Sequence, residues 1–218
     1  MGRPLALLLG DGRFPTGGHA HSTGLERAVA SGSIASVADV EAWCAARVDG
    51  AGRVDAALAA WCARRWPAVD VSELDREVEV RLVSPTQRSL SRRLGRQWTR
   101  TGRRIAVDGL GGLPDEPHRV VAVGAVGAAV GLGPSDVAAV IVHDVVAEAT
   151  SAAIRLLGLD PFEVAGIHVR LTDLLDEVVV AAVEASAGSL GALPVAESLL
   201  SLVALDEQAS SSERLFAS

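Results

Sequence analysis

Hydrophobic and polar positions along the chain recur with the period of an α-helix. In segment 88–105 the apolar side chains fall on one side of a helical wheel, and seven arginines fall on the other: Arg88, Arg92, Arg93, Arg96, Arg100, Arg103 and Arg104. Segment 138–157 has an apolar stripe beside a polar stripe, which consists of Asp144, Glu148, Ser151 and Arg155. Segment 171–184 repeats the pattern with acidic residues outward. These three segments predict amphipathic helices.

Shorter apolar runs predict further helices near residues 22–31, 37–49, 53–66, 72–82, 118–131 and 195–207. Ser36 and Ser135 stand where helix N-caps are expected, and Gly158 stands where a C-terminal cap is expected. Segment 78–83 alternates like a strand, but its charged residues fit a helix equally well. The pattern predicts an all-α bundle of about eight to ten helices that forms one domain over residues 1–218. The main internal loop is expected at 108–117, and 208–218 is expected to be a flexible tail.

Composition narrows the possible functions. All 20 basic residues are arginine, which excludes mechanisms that need a catalytic lysine. The net charge of −7 argues against a general nucleic-acid binder. The apolar run 120–132 is shorter than the roughly 20 residues of a membrane span, so no membrane insertion is expected. The two cysteines, Cys44 and Cys62, form no metal-binding motif, which predicts structural thiols and a reducing, cytoplasmic location.

Two charged faces are candidate binding surfaces. Residues 1–104 hold 16 arginines against 11 acids, and no acid lies between Glu79 and Asp108. The arginine face, including Arg92, Arg93 and Arg96, is therefore either a solvated helix flank or a docking surface for an acidic partner. The polar stripe of segment 138–157 is either paired within itself on the surface or turned towards a partner or a cavity. Nucleic acid is the weaker candidate partner, because few aromatic residues accompany the arginines.

A glycine-rich segment, 10–26, interrupts the helical pattern near the start of the chain. It lacks the Gly-Lys-Ser/Thr of a phosphate-binding loop, and a tight Pro-Thr-Gly-Gly turn between two helices explains its composition. His19 and His21 could contact a metal from such a turn, but no third ligand is evident. Hydrogen bonding within the turn is the alternative role of these histidines.

The ordered motifs of the chain resemble those of the UreF family of urease accessory proteins. The N-terminal signature is a short apolar helix followed by the turn, here Leu5–Leu9, Pro15-Thr16-Gly17-Gly18, His21-Ser22 and Gly24-Leu25-Glu26. Further matches follow in order at Arg92–Gln97, His118–Gly131, Thr150–Leu156 and Arg214–Ser218. The chain departs from the family pattern at residues 157–161 and at His19, where an aromatic residue is common.

The resemblance implies a urease maturation chaperone that dimerises, binds the accessory protein UreD (also called UreH) and recruits the GTPase UreG to the urease apoprotein for nickel insertion. It could also modulate the GTPase. The family-motif turn comprises Pro15, Gly17, Gly18, His21, Ser22, Gly24 and Glu26. The expected partner-binding residues are Arg92, Arg93, Arg96, Asp144, Glu148, Ser151, Arg155 and the tail residues Arg214, Leu215 and Phe216. No stably bound cofactor is expected, and transient nickel contact would fall to His19 and His21.

Two other function classes remain to be distinguished from this one. An enzyme would need a convergent set of titratable groups, whereas the histidines are scattered and no Ser-His-Asp signature is present. An all-α interaction module unrelated to nickel would keep the binding surfaces but would not support urease maturation. The sequence therefore favours a protein without a catalytic site.

Overall fold

The computed structural model describes residues 3–18, 21–22, 24–106 and 108–195. Within these residues there are ten α-helices and no strand, which confirms the all-α prediction. The helices are α1 (Arg3–Leu9), α2 (Leu25–Ala30), α3 (Val37–Arg47), α4 (Arg53–Arg65), α5 (Val71–Arg81), α6 (Pro85–Ile105), α7 (Arg119–Ala129), α8 (Pro134–Leu157), α9 (Pro161–Arg170) and α10 (Thr172–Ala185). The predicted helix at 195–207 lies almost wholly outside the described residues.

Helices α3 and α4 are continuous, although the sequence predicts a break between them. A π-helical turn, Val48–Gly52, joins the two helices. Gly50 and Gly52 resemble a helix end in the sequence, but the backbone remains helical through both positions. The chain from Val37 to Arg65 is therefore one long element with a local bulge.

Capping residues fix several helix ends. Ser36 accepts a hydrogen bond from the backbone N–H of Asp39, as predicted. Helix α6 begins earlier than the periodicity indicates, because Ser84 and Gln87 form a capping box with Pro85 at the first helical position. Helix α8 also begins earlier, at Pro134, with Gly133 rather than Ser135 as its cap. Gly158 ends α8 with a φ of 64°, in the left-handed region expected of a C-terminal glycine.

Helix α9 was not predicted, because its outward face is apolar and hides the helical period. Phe162 and Val169 are 88% and 74% exposed, and they lie seven residues apart on one face. Val164 and Ile167 bury the opposite face. Asp160 caps the helix by accepting a hydrogen bond from the N–H of Phe162.

Helix α4 lies at the centre of the bundle and packs against α7, α8 and α10. Its residues 56–63 are all buried, and five of them are alanine. A Cβ atom at Gly124 of α7 would lie 2.7 Å from the carbonyl oxygen of Ala59, so only glycine allows the observed approach of α4 and α7. Small side chains thus allow close helix packing here. Burial raises the pKa of both Cys44 and Cys62 to about 12, consistent with structural thiols.

Helix α8 is long and apolar enough to cross a membrane by length and composition alone. However, 67% of its most apolar window is buried inside the bundle. The apolar composition of α8 is that of a core helix, which packs against α4, α7 and α10.

Gly95 of α6 is a second position at which only glycine allows two elements to approach closely, here α6 and the segment before α7. A Cβ atom at Gly95 would lie 1.9 Å from the carbonyl oxygen of Pro117, in backbone that cannot swing aside. We predict that Gly95→Ala lowers the free energy of unfolding by about 2–3 kcal/mol, despite the better helix propensity of alanine. Urea denaturation measures this change.

Gly166→Ala in α9 is the matched control. The added methyl group there would meet only the flexible end of Arg170. Its free energy of unfolding should be unchanged or higher by up to about 1 kcal/mol. If the two variants were equally stable, the close contact between Gly95 of α6 and the backbone of Pro117 would be contradicted.

Candidate functional site

The glycine-rich turn lies between α6 and α8. Phe14 packs on Trp98 of α6 with 5.4 Å between ring centroids, and Thr101 of α6 donates a hydrogen bond to the carbonyl oxygen of Pro15 at 3.0 Å. On the other side, a Cβ atom at Gly18 would lie 2.5 Å from Oε1 of Glu148. A side chain at position 18 would therefore have to displace the Glu148 carboxylate.

The remaining residues of the family-motif turn range from exposed to fully buried. Pro15 is exposed, Gly17 adopts a φ of 82°, and Gly24 precedes α2 with a φ of 92°. The side chains of His21 and Ser22 are buried, and Glu26 is partly buried in the first turn of α2. The N–H of His21 donates to the carbonyl oxygen of Gly18, which closes the turn. The turn is a packed structural unit.

The polar stripe of α8 pairs with a residue that the sequence analysis missed. Arg119, at the start of α7, contacts Asp144 at 3.0 Å and Glu148 at 3.1 Å, and all three side chains are at most 15% exposed. Asp144 and Glu148 of the stripe therefore face the interior and pair with a residue of α7. Ser151 and Arg155 continue it outward, where the guanidinium of Arg155 donates to the carbonyl oxygen of Ser151. Arg119 is the one basic residue of the otherwise apolar helix α7, and in the sequence this isolated charge is the feature that could have indicated a buried ion pair.

Two further charged residues, Arg47 and Asp55, surround the Arg119 pair and complete a buried ion network. Burial alone would lower the pKa of Arg119, but the carboxylates of Glu148, Asp144 and Asp55 raise it. Burial raises the pKa of Asp144, and it raises the pKa of Asp55 to about 6. Burial lowers the pKa of Arg47. Opposite charges from α3, α4, α7 and α8 thus attract one another, but burial outweighs that attraction at Asp55, Asp144 and Arg47, whereas Arg119 is firmly held in its charged form.

A cleft of about 300 Å³ opens over the buried ion network. One wall is the segment from Leu9 to Gly18, and the other is formed by Asp144, Ala147, Glu148 and Ser151 of α8. The turn and the α8 stripe, which the sequence presents as separate features, are thus two walls of one cleft. The sequence left open whether the stripe faces solvent, a partner or a cavity. In the structure Asp144, Glu148 and Ser151 face a cavity.

The arginine face of α6 is partly neutralised by acids from other elements. Arg92 contacts Asp75 at 2.7 Å and Glu79 at 2.8 Å, and Arg96 contacts Glu116 at 3.0 Å. Arg88 and Arg103 also face acids, Glu79 and Asp115. Arg93 is exposed and makes no ion pair within the described part of the chain. The absence of acids in the local sequence therefore did not predict the charge of the folded face.

Comparisons with known proteins show which family this chain is similar to. The UreF family profile matches residues 34–172, which include the α6 arginines, Arg119 and the α8 stripe. A urease accessory protein UreF of Mycobacterium tuberculosis (strain ATCC 25618 / H37Rv) is 40% identical over 183 residues, 84% of each chain. One of Mycolicibacterium vanbaalenii is 40% identical over 175 residues, covering 78% of this chain and 80% of the relative. The chain belongs to the UreF family of urease accessory proteins. It therefore has a role in urease maturation alongside other urease accessory proteins.

The histidines of this UreF-family chain occupy different environments. His118 is fully buried, contacts Glu79 at 2.7 Å and Ser91 at 3.1 Å, and has its pKa lowered by burial, as expected of a structural histidine. His143 lies at the border of the apolar stripe of α8, which predicts a buried ring, but it is exposed, and its ring lies 5.1 Å from that of His168. Burial lowers the pKa of His168. The described residues contain no cluster of three metal-binding side chains.

Several predicted site residues lie outside the described part of this UreF-family chain. They are His19 of the turn and Arg214, Leu215 and Phe216 of the tail. The last described residues are held to α5, because Arg81 donates hydrogen bonds to the carbonyl oxygens of Leu193 and Pro194.

The buried ion network of the UreF-family chain predicts a large effect for Arg119→Met. Removing this guanidinium leaves Asp144 and Glu148 without their cation, and breaking a buried pair costs about 3–5 kcal/mol. The loss should be greatest at neutral pH. It should shrink as the pH falls, because a carboxyl group that takes up a proton no longer needs a counter-charge. Urea denaturation across a pH series measures both effects.

Arg103→Met is the control for this substitution. Arg103 pairs with Asp115, but the side chains are 45% and 81% exposed, so its loss should cost less than about 1 kcal/mol. If the two variants lost the same stability at neutral pH, the network around Arg119 would not be a buried one.

Proposed function

We propose that this chain is a urease maturation chaperone that bridges UreD (UreH) and the GTPase UreG, so that nickel is inserted into apo-urease. It would act in the cytoplasm, without catalytic turnover, and could modulate the GTPase. The observation that carries this proposal is the 40% identity with curated urease accessory proteins over 84% of the chain. A match of this extent covers the bundle rather than a single motif.

The chemistry of the cleft supports binding rather than catalysis. Asp144 and Glu148 both contact Arg119, so neither carboxylate is poised to remove a proton from a substrate. The two thiols, Cys44 and Cys62, lie in the hydrophobic core, where burial raises their pKa to about 12 and keeps them protonated and poorly nucleophilic. The titratable groups of this region serve the fold and shape its surface.

Exposed apolar residues support assembly with other chains. Leu7 and Leu8 of α1 are 77% and 48% exposed, and Phe162 and Val169 form the apolar face of α9. Contiguous apolar residues on a protein surface mark places where another protein binds. A homodimer and the UreD complex would each cover surface of this kind.

Transient nickel contact is proposed for the turn. Imidazole is a suitable nickel ligand, and His21 lines a cleft that the turn forms with α6. We predict that His19→Ala/His21→Ala lowers nickel binding in equilibrium dialysis. The control is Arg13→Ala, which changes an exposed residue of the same loop. Unchanged nickel binding by the double variant would end the proposal for these histidines.

Complementation of a UreF-deficient, urease-positive strain tests the function itself. The full chain should restore urease activity and nickel content. Deleting residues 209–218 should reduce both, because the apolar Leu215 and Phe216 of the tail would be lost from the UreD complex. A pull-down with UreD measures this loss directly.

Each negative result has a separate meaning. Failure of the full chain to restore urease would contradict the maturation role and favour an interaction module unrelated to nickel. A tail-deleted chain that captures UreD at the wild-type yield would contradict only the role of the tail.

A further inference from the structure

The arginines of α6 form two neighbouring rows that differ in what they contact. The inner row consists of Arg88, Arg92, Arg96 and Arg103, which face acids of α5 and of the segment before α7. The outer row consists of Arg93, Gln97, Arg100 and Arg104, at spacings of four, three and four residues along one helix face. Its three arginines are exposed and make no ion pair within the described residues.

The fold does not account for the outer row. Arg104 lies in the last turn of α6, where the helix dipole favours a cation, but Arg93 and Arg100 lie further back. Arg100 and Arg104 are four residues apart, a spacing at which like charges destabilise a helix. Solubility does not require the row either. The chain has a net charge of −7, and three arginines reduce the magnitude of that charge rather than increase it.

The outer row runs beside the family-motif turn. A second cleft, of about 350 Å³, is lined by Thr16, Gly17 and His21 from the turn and by Arg93, Arg96 and Gln97 from α6. The hydrogen bond from Thr101 to Pro15 fixes the turn against the same helix. The row is therefore held on a rigid helix next to a concave surface.

We propose that the outer row docks an acidic helix of a partner protein in urease assembly. The row is about 16 Å long, since its ends are eleven residues apart at 1.5 Å each. Carboxylates on one face of a partner helix repeat with the same spacing, and each guanidinium can bind a carboxylate through two hydrogen bonds. This inference rests on the proposed function, because it assumes that the chain assembles with other maturation proteins.

Charge complementarity favours an acidic protein over other anionic partners. Nucleic-acid binding surfaces of this kind add aromatic side chains on which bases stack, and the outer row contains none. A membrane-binding helix needs apolar residues beside its cations, whereas the position between Arg93 and Arg100 is the polar Gln97. The net negative charge also repels extended polyanions.

The experiment compares Arg93→Glu/Arg100→Glu with Arg27→Glu/Arg76→Glu. Both variants change the net charge equally, and the control arginines are exposed residues of α2 and α5. Binding to purified UreD and to purified UreG is measured separately by biolayer interferometry, from about 50 to about 300 mM salt. Circular dichroism melts verify folding, and Arg93→Gln/Arg100→Gln repeats the test without introducing negative charge.

We expect the outer-row reversal to slow association with one of the two partners about tenfold at low salt and to flatten its salt dependence. The control variant should bind as the wild type does. Wild-type binding of both partners by the outer-row variant would overturn the inference. Salt-sensitive binding of duplex DNA or of anionic vesicles that this variant loses would overturn it too. Failure of the wild-type chain to bind either partner would instead contradict the proposed function.

Discussion

The buried contact between Arg119 and the carboxylates of Asp144 and Glu148 is the constraint on which the candidate site depends. Arg119 lies 3.0 and 3.1 Å from the two acids, in surroundings where an unpaired charge is costly. Arg47 and Asp55 bring α3 and α4 into the same network. The network therefore fixes how these helices meet beneath the turn.

The same network explains why the turn contains glycine. Glu148, held by Arg119, occupies the space that a side chain at position 18 would need. On its other side the turn is held to α6 by Phe14, Pro15 and Thr101. The turn is thus clamped between two helices, and clefts open towards α8 and towards α6. A maturation protein that works by binding benefits from rigid surfaces, because a rigid surface loses less conformational entropy when a partner binds.

Strongly periodic segments allowed much of the fold to be predicted from the sequence. Helices α6, α8 and α10 have clear apolar and polar faces, and their packing follows from that pattern. The bulge at Val48–Gly52 could not be predicted, because its glycines are equally compatible with a helix end. Helix α9 was missed because its solvent face carries Phe162 and Val169.

The candidate site was predictable in its parts but not in their arrangement. Local sequence identified the turn and the α8 stripe, yet their meeting depends on Arg119, which is 25 residues from Asp144 along the chain. The arginine face shows the same limit, since Arg92 and Arg96 are neutralised by acids of α5 and of the segment before α7. Long-range ion pairs leave no periodic trace in a sequence.

Amide hydrogen exchange of the turn in a Glu148→Gln variant tests this account most directly. The account predicts faster exchange at residues 14–18 and 21–22 and at the start of α7, with α5 unchanged, because the substitution removes a charge from the buried ion network against which the turn packs. Exchange at the turn equal to that of the wild-type chain would show that its position does not depend on this network, and would contradict the account.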